Sequence, residues 1–422
     1  MKLTRLLAAF LLPVILLSPV ALTAKPLRIV RPERVGMDSQ RLLRADSAIQ
    51  DAIDKGNIPG AVLAVVRHGR MAYLKAYGNR QVYPTRLPMT TNAIFDMASC
   101  SKAMSTALCV MRLCEEGKIR LLDPVNLYIP DFKDWTENGE TTNIRIQHLL
   151  THTSGLPAYA SVNAAESDKR PAPDALMRHI SQLRRLAEPG TEFRYSCLNF
   201  ITLQHIVETV SGESLRQFAR RHIFDPLGMN HTDYLPCAPD AEGRWHNTAR
   251  PCWAAEGEDD TAWREFVAPT ERQADGSVLS CMVHDPLARL LNGGISGNAG
   301  VFSCAEDIAV LCAALQNGGE WDGHRILQPQ TVRLLRTVPA FAARFGRTMG
   351  WDNSSAYASC NGDLLSSETY CHTGFTGTEI VIDPQNDCSV ILLINAVHPD
   401  GGKGVVRLRS VVSNAVAASI VE

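Results

Sequence analysis

The sequence predicts a fold of mixed α/β (α+β) class: an antiparallel sheet flanked by helices, its strands drawn from the N- and C-terminal segments, with an all-helical lobe inserted between them. Apolar, strand-like runs bounded by turn residues occur near both ends, at residues 61–77 and 370–395, whereas helical spacing dominates the middle. No internal repeat or low-complexity linker marks off an independent domain.

Residues 1–24 read as an export signal: Lys2 and Arg5, an apolar run from Leu6 to Val20, then small residues around Ala21 and Ala24. A membrane anchor would need roughly 20 uninterrupted apolar residues, and Pro13 breaks this shorter run. The expected mature chain is 25–422, with an α/β lobe at about 25–100 and 295–422 and a helical lobe at about 101–294. Its expected location is periplasmic or secreted, with no stable membrane anchor.

Asp38 and Ser39 cap an amphipathic run to Lys55. Ala61 to Val66, the turn His68-Gly69-Arg70 and Met71 to Tyr77 read as a hairpin. A helix is predicted over 103–116, where Ala103, Met104, Ala107, Leu108 and Met111 recur at helical spacing and Gly117 stops the run. A second covers 199–210. Ser303 with Glu306 has the pattern of a capping box for a helix over 305–316. Strands over 370–373, 379–382 and 389–395 and a closing helix over 404–421 complete the chain. Residues 237–280 are poor in periodicity and read as an insertion on the rim of a cleft.

With 42 basic and 44 acidic residues the net charge is −2, which gives no hint of nucleic acid binding. Twelve cysteines are scattered without a Cys-x-x-Cys, which argues against a zinc ribbon or a thioredoxin-like centre. Cys237 and Cys252 flank a polar loop and are the favoured staple, while Cys109, Cys312 and Cys388 sit in apolar runs and read as core. His148 and His152 have metal-ligand spacing but no third ligand, and read as buried, hydrogen-bonded histidines. No cofactor or metal is expected.

The chemistry is concentrated at Ser99-Cys100-Ser101-Lys102. Serine and lysine three residues apart share one face of a helix's first turn, so the amine can take the proton that keeps the hydroxyl a poor nucleophile. Unpaired N–H groups of that turn can face an oxyanion. A serine that merely caps the helix, followed by a solvated lysine, has the same pattern.

Two further blocks follow in order, Tyr195-Ser196-Cys197 and His372-Thr373-Gly374. Together the three resemble the serine β-lactamase and penicillin-binding-protein superfamily, and the tyrosine points to its class C β-lactamase-related branch, with D-alanyl-D-alanine carboxypeptidase and esterase relatives. The stretches 146–156 and 293–303 are similar to that branch as well. The resemblance implies an α/β sandwich with an all-helical region and a cleft at their junction. It implies an acyl-enzyme on Ser99, Lys102 as base and Tyr195 as proton carrier, its phenol made acidic by Lys102. His372, Thr373, Gly374 and Phe375 would line the substrate, the Phe375 N–H being the second oxyanion donor.

Cys197 departs from the pattern, since relatives carry Asn, sometimes Asp, at this place. Cysteine is a weak partner for a lysine or a substrate amide, which favours esters over peptides and β-lactams. Asn199 is the substitute if the helix begins differently. His372 stands where many relatives have lysine, so recognition of a substrate carboxylate should weaken as pH rises above the imidazole pKa. The expected partner is a small molecule or peptide: a peptidoglycan-like peptide, an ester or a β-lactam. A receptor with the same cleft that binds without turnover is the alternative.

Overall fold

The hairpin forms as expected. Gly60–Arg67 (β1) and Arg70–Gln81 (β2) are joined by His68 and Gly69, both in the left-handed region at φ 51° and 62°, the geometry of a tight hairpin turn whose twist matches that of the strands. Leu87–Pro88 (β3) extends this edge. On the other side the chain's last strands pair in, Tyr370–Thr373 (β4), Glu379–Asp383 (β5) and Cys388–Ile394 (β6). The antiparallel order is β4-β5-β6-β1-β2-β3, so the first and last strands of the chain meet at the centre, with Ala61 opposite Ile394 and Arg67 opposite Cys388.

The computed structural model describes residues 23–163, 170–255, 257, 259, 261–402 and 404–422. Nearly all of the expected export signal therefore lies outside the described residues. No helix among them is long and apolar enough to cross a membrane.

Because β1 is central, both its faces are covered. Val62, Ala64 and Val66 enter the larger core, which reaches Ala305–Gln316 (α4) and the helical lobe. Ala61, Leu63 and Val65 enter a second core shared with Ser39–Asp54 (α1) and Val405–Ala417 (α5). Each buried valine or leucine contributes about 1.5–3 kcal/mol relative to exposure. Asp38 caps α1 by accepting the N–H groups of Gln40 and Arg41.

The predicted 103–116 helix is wound in two ways: Lys102–Ala107 has the wide five-residue hydrogen-bond spacing of a π-helix, and Leu108–Glu115 (α2) is α-helical. Such wide turns are rare and concentrate at functional sites. Both segments pack against Cys197–Ser211 (α3).

Three expectations need correction. Cys237 and Cys252 do not pair, and all twelve cysteines are free: the Cys237 thiol faces the Arg289 carbonyl, and the Cys252 thiol those of Asn230 and Thr232. The N-cap of α4 is Cys304, without a side-chain capping bond, because the Ser303 hydroxyl is taken by Thr232 and the Cys304 carbonyl. Asn199 is spent on Ser154 and His152 and does not stand in for the amide that Cys197 lacks.

Candidate active site

Ser99 sits at the start of the motif helix, after Ala98, whose φ of 45° is left-handed. The turn lifts Ser99 to the mouth of a cleft of about 590 Å³, lined also by Tyr195, Arg347, Asp352, Tyr357, His372, Thr373, Gly374 and Phe375. Lys102 is fully buried, with Nζ 3.0 Å from the Ser99 Oγ, 2.8 Å from the Asn298 carbonyl and 3.8 Å from the Cys197 sulfur. The same amine lies 5.1 Å from the centre of the Tyr195 ring. Ser99, Lys102, Tyr195 and Cys197 thus converge from two helix starts, with the Gly-rich loop before α4 supplying the carbonyl that holds the lysine.

The electrostatics differ from the sequence expectation at Lys102, at Tyr195 and at His372. Burial opposes the charge on Lys102, but Cys197 and then Tyr195 beside it leave its pKa raised, so the amine is a cation at neutral pH. Burial pushes the Tyr195 phenol up, and Lys102 only partly offsets this, so it is not the acidic phenol expected. The Cys197 thiol is raised as well, again by burial first, with Lys102 pulling the other way. Each of the three shifts therefore depends on at least one of the other two groups, so a change of charge on one is felt by its neighbours.

His372 is 4% exposed. Its Nδ1–H donates to the Thr373 carbonyl at 3.0 Å, which leaves Nε2 as an unpartnered acceptor. Burial, then Arg347 and Lys102, holds its pKa well below the ordinary histidine value. It is a neutral imidazole, so the expected titrating cation for a carboxylate is not there. Arg347 is a fixed positive charge on this wall: it pairs with Asp352 at 2.7 Å and lies 5.7 and 6.0 Å from the Phe193 and Tyr195 ring centres, with Nε and Nη2 unpartnered.

Thr373 and Gly374 continue from β4 into the loop bearing Phe375. A Cβ on Gly374 would come within 2.1 Å of the Thr378 hydroxyl and 2.6 Å of the Met97 carbonyl, so only glycine lets this loop close on the turn of Ser99. The N–H groups of Ser99 and Phe375 meet no protein acceptor among the described residues. Phe375 itself is 76% exposed, its ring stacked on His284 at 5.5 Å.

A match to the β-lactamase family model runs over residues 45–412. The chain belongs to the β-lactamase family. It is 32% identical over 395 residues, covering 90% of this chain and 89% of the relative, to the Salmonella agona (strain SL483) protein named "Putative D-alanyl-D-alanine carboxypeptidase". A protein of the same name from Escherichia coli (strain K12) is 32% identical over 383 residues, covering 87% and 85%. Among solved structures it is similar to EstCE1, a hydrolase with promiscuous acyltransferase activity (TM-score 0.68, 26% identity, covering 90% of this chain and 99% of that one). The fold is also that of a penicillin-binding protein homologue from Caulobacter crescentus (TM-score 0.66, 19% identity, covering 91% and 99%). As a member of the β-lactamase family the protein is a serine hydrolase.

Sequence reasoning missed Arg347, Asp352, Tyr357 and Arg409. Tyr357 stacks on Tyr195 at 5.2 Å, and Arg409 donates to the Gly374 and Thr378 carbonyls at 2.8 and 2.9 Å. Arg347, Asp352 and Tyr357 lie in no periodic or motif-bearing run, and Arg409 falls within the predicted closing helix, where a single arginine carries no signal of its own. His148 and His152 are buried, and the Nδ1 atoms accept the N–H groups of Arg145 and Ser196 respectively. One trio of metal-ligand type, His231, Cys304 and Asp307, occurs among the described residues. None of the three lines the cleft, and the Asp307 carboxylate already accepts the His231 N–H and the Thr232 hydroxyl.

Proposed function

We propose that the protein hydrolyses small acyl substrates, D-Ala-D-Ala-type peptides, small esters or β-lactams, through an acyl-enzyme on Ser99. The observation that carries this reading is the 3.0 Å contact between the Lys102 amine and the Ser99 hydroxyl at the mouth of the cleft. The unit formed by Lys102, Tyr195 and Cys197 gives up a proton to solvent, the Ser99 proton passes into it, and Oγ bonds to the substrate carbonyl carbon. The oxyanion is received by the Ser99 and Phe375 N–H groups. The proton returns to the leaving group as its bond breaks; water, deprotonated by the same unit, then bonds to the acyl carbon, and that proton passes to Oγ as the bond between Oγ and the acyl carbon breaks.

Esters are the favoured substrates. At position 197 a thiol, 3.8 Å from Lys102, stands where an amide would hold both the lysine and a substrate amide. The same thiol supports the second reading, a receptor that is acylated and does not turn over. Export to the periplasm or beyond belongs to the proposal.

Incubation with p-nitrophenyl butyrate and with fluorescent penicillin, followed by intact-mass analysis, tests the reading. The parent should show turnover or an adduct, and Ser99→Ala should lose it by about 10³-fold or more. A Ser99→Ala variant as active as the parent refutes it. A stable adduct without turnover selects the receptor.

A further inference from the structure

The turn that carries Ser99 and the loop that carries Phe375 are far apart in sequence, yet bonds that do not line the cleft fasten them together. Asp96, 2% exposed, accepts the Ala98 N–H on one carboxylate oxygen at 2.8 Å and the His284 N–H on the other at 2.7 Å. The first bond closes over the left-handed Ala98 immediately before the nucleophile, a conformation alanine keeps only where its surroundings enforce it. From the other side the Thr376 hydroxyl donates to the Asp96 carbonyl at 2.8 Å and the Thr378 hydroxyl to the Met97 carbonyl at 3.0 Å. His284 completes the bracket, since its backbone is tied to Asp96 while its ring supports Phe375.

We propose that Asp96 and Thr376 are positioning residues that set the spacing between the Ser99 and Phe375 N–H groups, and through it the strength of the oxyanion hole. The inference rests on the acyl-enzyme reading above. Neither residue lines the cleft, so neither touches substrate. Their effect comes from geometry, because an oxyanion donor works only within a few tenths of an ångström of its place, and a misplacement near 1 Å costs about 100-fold in rate. Thr376 is 2% exposed and its hydroxyl has one acceptor, the Asp96 carbonyl, so Thr376→Val removes that bond at constant shape.

The test compares Thr376→Val and Thr376→Ser with Thr232→Val, a control that deletes an equally buried hydroxyl bonded to Ser303 and Asp307. Thr376→Val should lower kcat/KM for p-nitrophenyl butyrate by about 10- to 100-fold. Its affinity for phenylboronic acid, which forms a tetrahedral anionic adduct on a serine, should fall in parallel. Thr376→Ser, which keeps the hydroxyl, should restore both, and Thr232→Val should lose melting temperature without losing either. A valine variant whose kcat/KM and boronate affinity match those of the Thr232 control overturns the proposal, as does a serine variant as impaired as the valine. Should the valine variant not fold, Asp96→Asn takes its place, since one of its two acceptor oxygens is replaced by a donor; unchanged kcat/KM and boronate affinity there also overturn it. If the parent shows neither turnover nor a boronate adduct, the acyl-enzyme reading itself has failed.

Discussion

Arg347 and His372 share one wall of the cleft, and the guanidinium is one of the reasons, after burial, that the imidazole stays uncharged. The ratio of kcat/KM for an ester bearing a free carboxylate to that for its neutral counterpart should therefore be flat from pH 6 to 9. In Arg347→Gln the ratio should drop at every pH, because a cation of this wall is lost, and should stay flat, because burial, the larger cause, still keeps His372 neutral. Steady-state kinetics on the paired esters reads both.

Acylation should instead follow the proton held among Lys102, Tyr195 and Cys197. Lys102 and Tyr195 are both raised, so at neutral pH the amine is charged and the phenol protonated, and neither accepts the Ser99 proton. The rate of acylation should climb through the alkaline range without a plateau by pH 8, up to about tenfold per pH unit. Lys102→Met should remove the climb together with the activity. Single-turnover kinetics across pH 6–10 checks this.

Cys197→Asn places an amide where the thiol now lies 3.8 Å from the Lys102 amine. One hydrogen bond to a substrate amide is worth about 1 kcal/mol, so the ratio of peptide or β-lactam turnover to ester turnover should rise about five- to tenfold. An unchanged ratio would separate position 197 from the choice of leaving group.

Stability should carry its own pH signature. Burial pushes the Glu379 carboxyl up to about 8, although Arg409 lies 3.5 Å away. A folded-state pKa above the unfolded value means that the folded form holds the proton more tightly. That stabilising contribution is complete below the unfolded pKa and is lost as pH rises toward 8. Glu379→Gln, neutral at every pH, should flatten this decline, and melting temperatures at pH 5.5 and 8 compare the two proteins directly.

What the sequence discloses is the chemistry that travels in short runs. Ser99 and Lys102 are legible because one helical turn converts their spacing into contact, and the strands because β-branched residues sit between turns. The neutral state of His372 is not legible, since it depends on burial and then on Arg347 and Lys102, none of which local pattern connects to it. The raised lysine and tyrosine are hidden for the same reason: a pKa is set by neighbours in space. The proposed staple between Cys237 and Cys252 failed because proximity along a loop says nothing about where the thiols point.

The pairing of Ala61 with Ile394 has a consequence for how the molecule comes into being. A growing polypeptide presents β1 and β2 early, with an open edge that only the final strands can satisfy. The hydroxyl at 99 waits equally long for the loop at 375, so the nascent protein should be catalytically silent until synthesis is almost finished. A chain that stopped before residue 370 would lack one wall of its reaction centre and leave the hairpin's edge exposed to other copies.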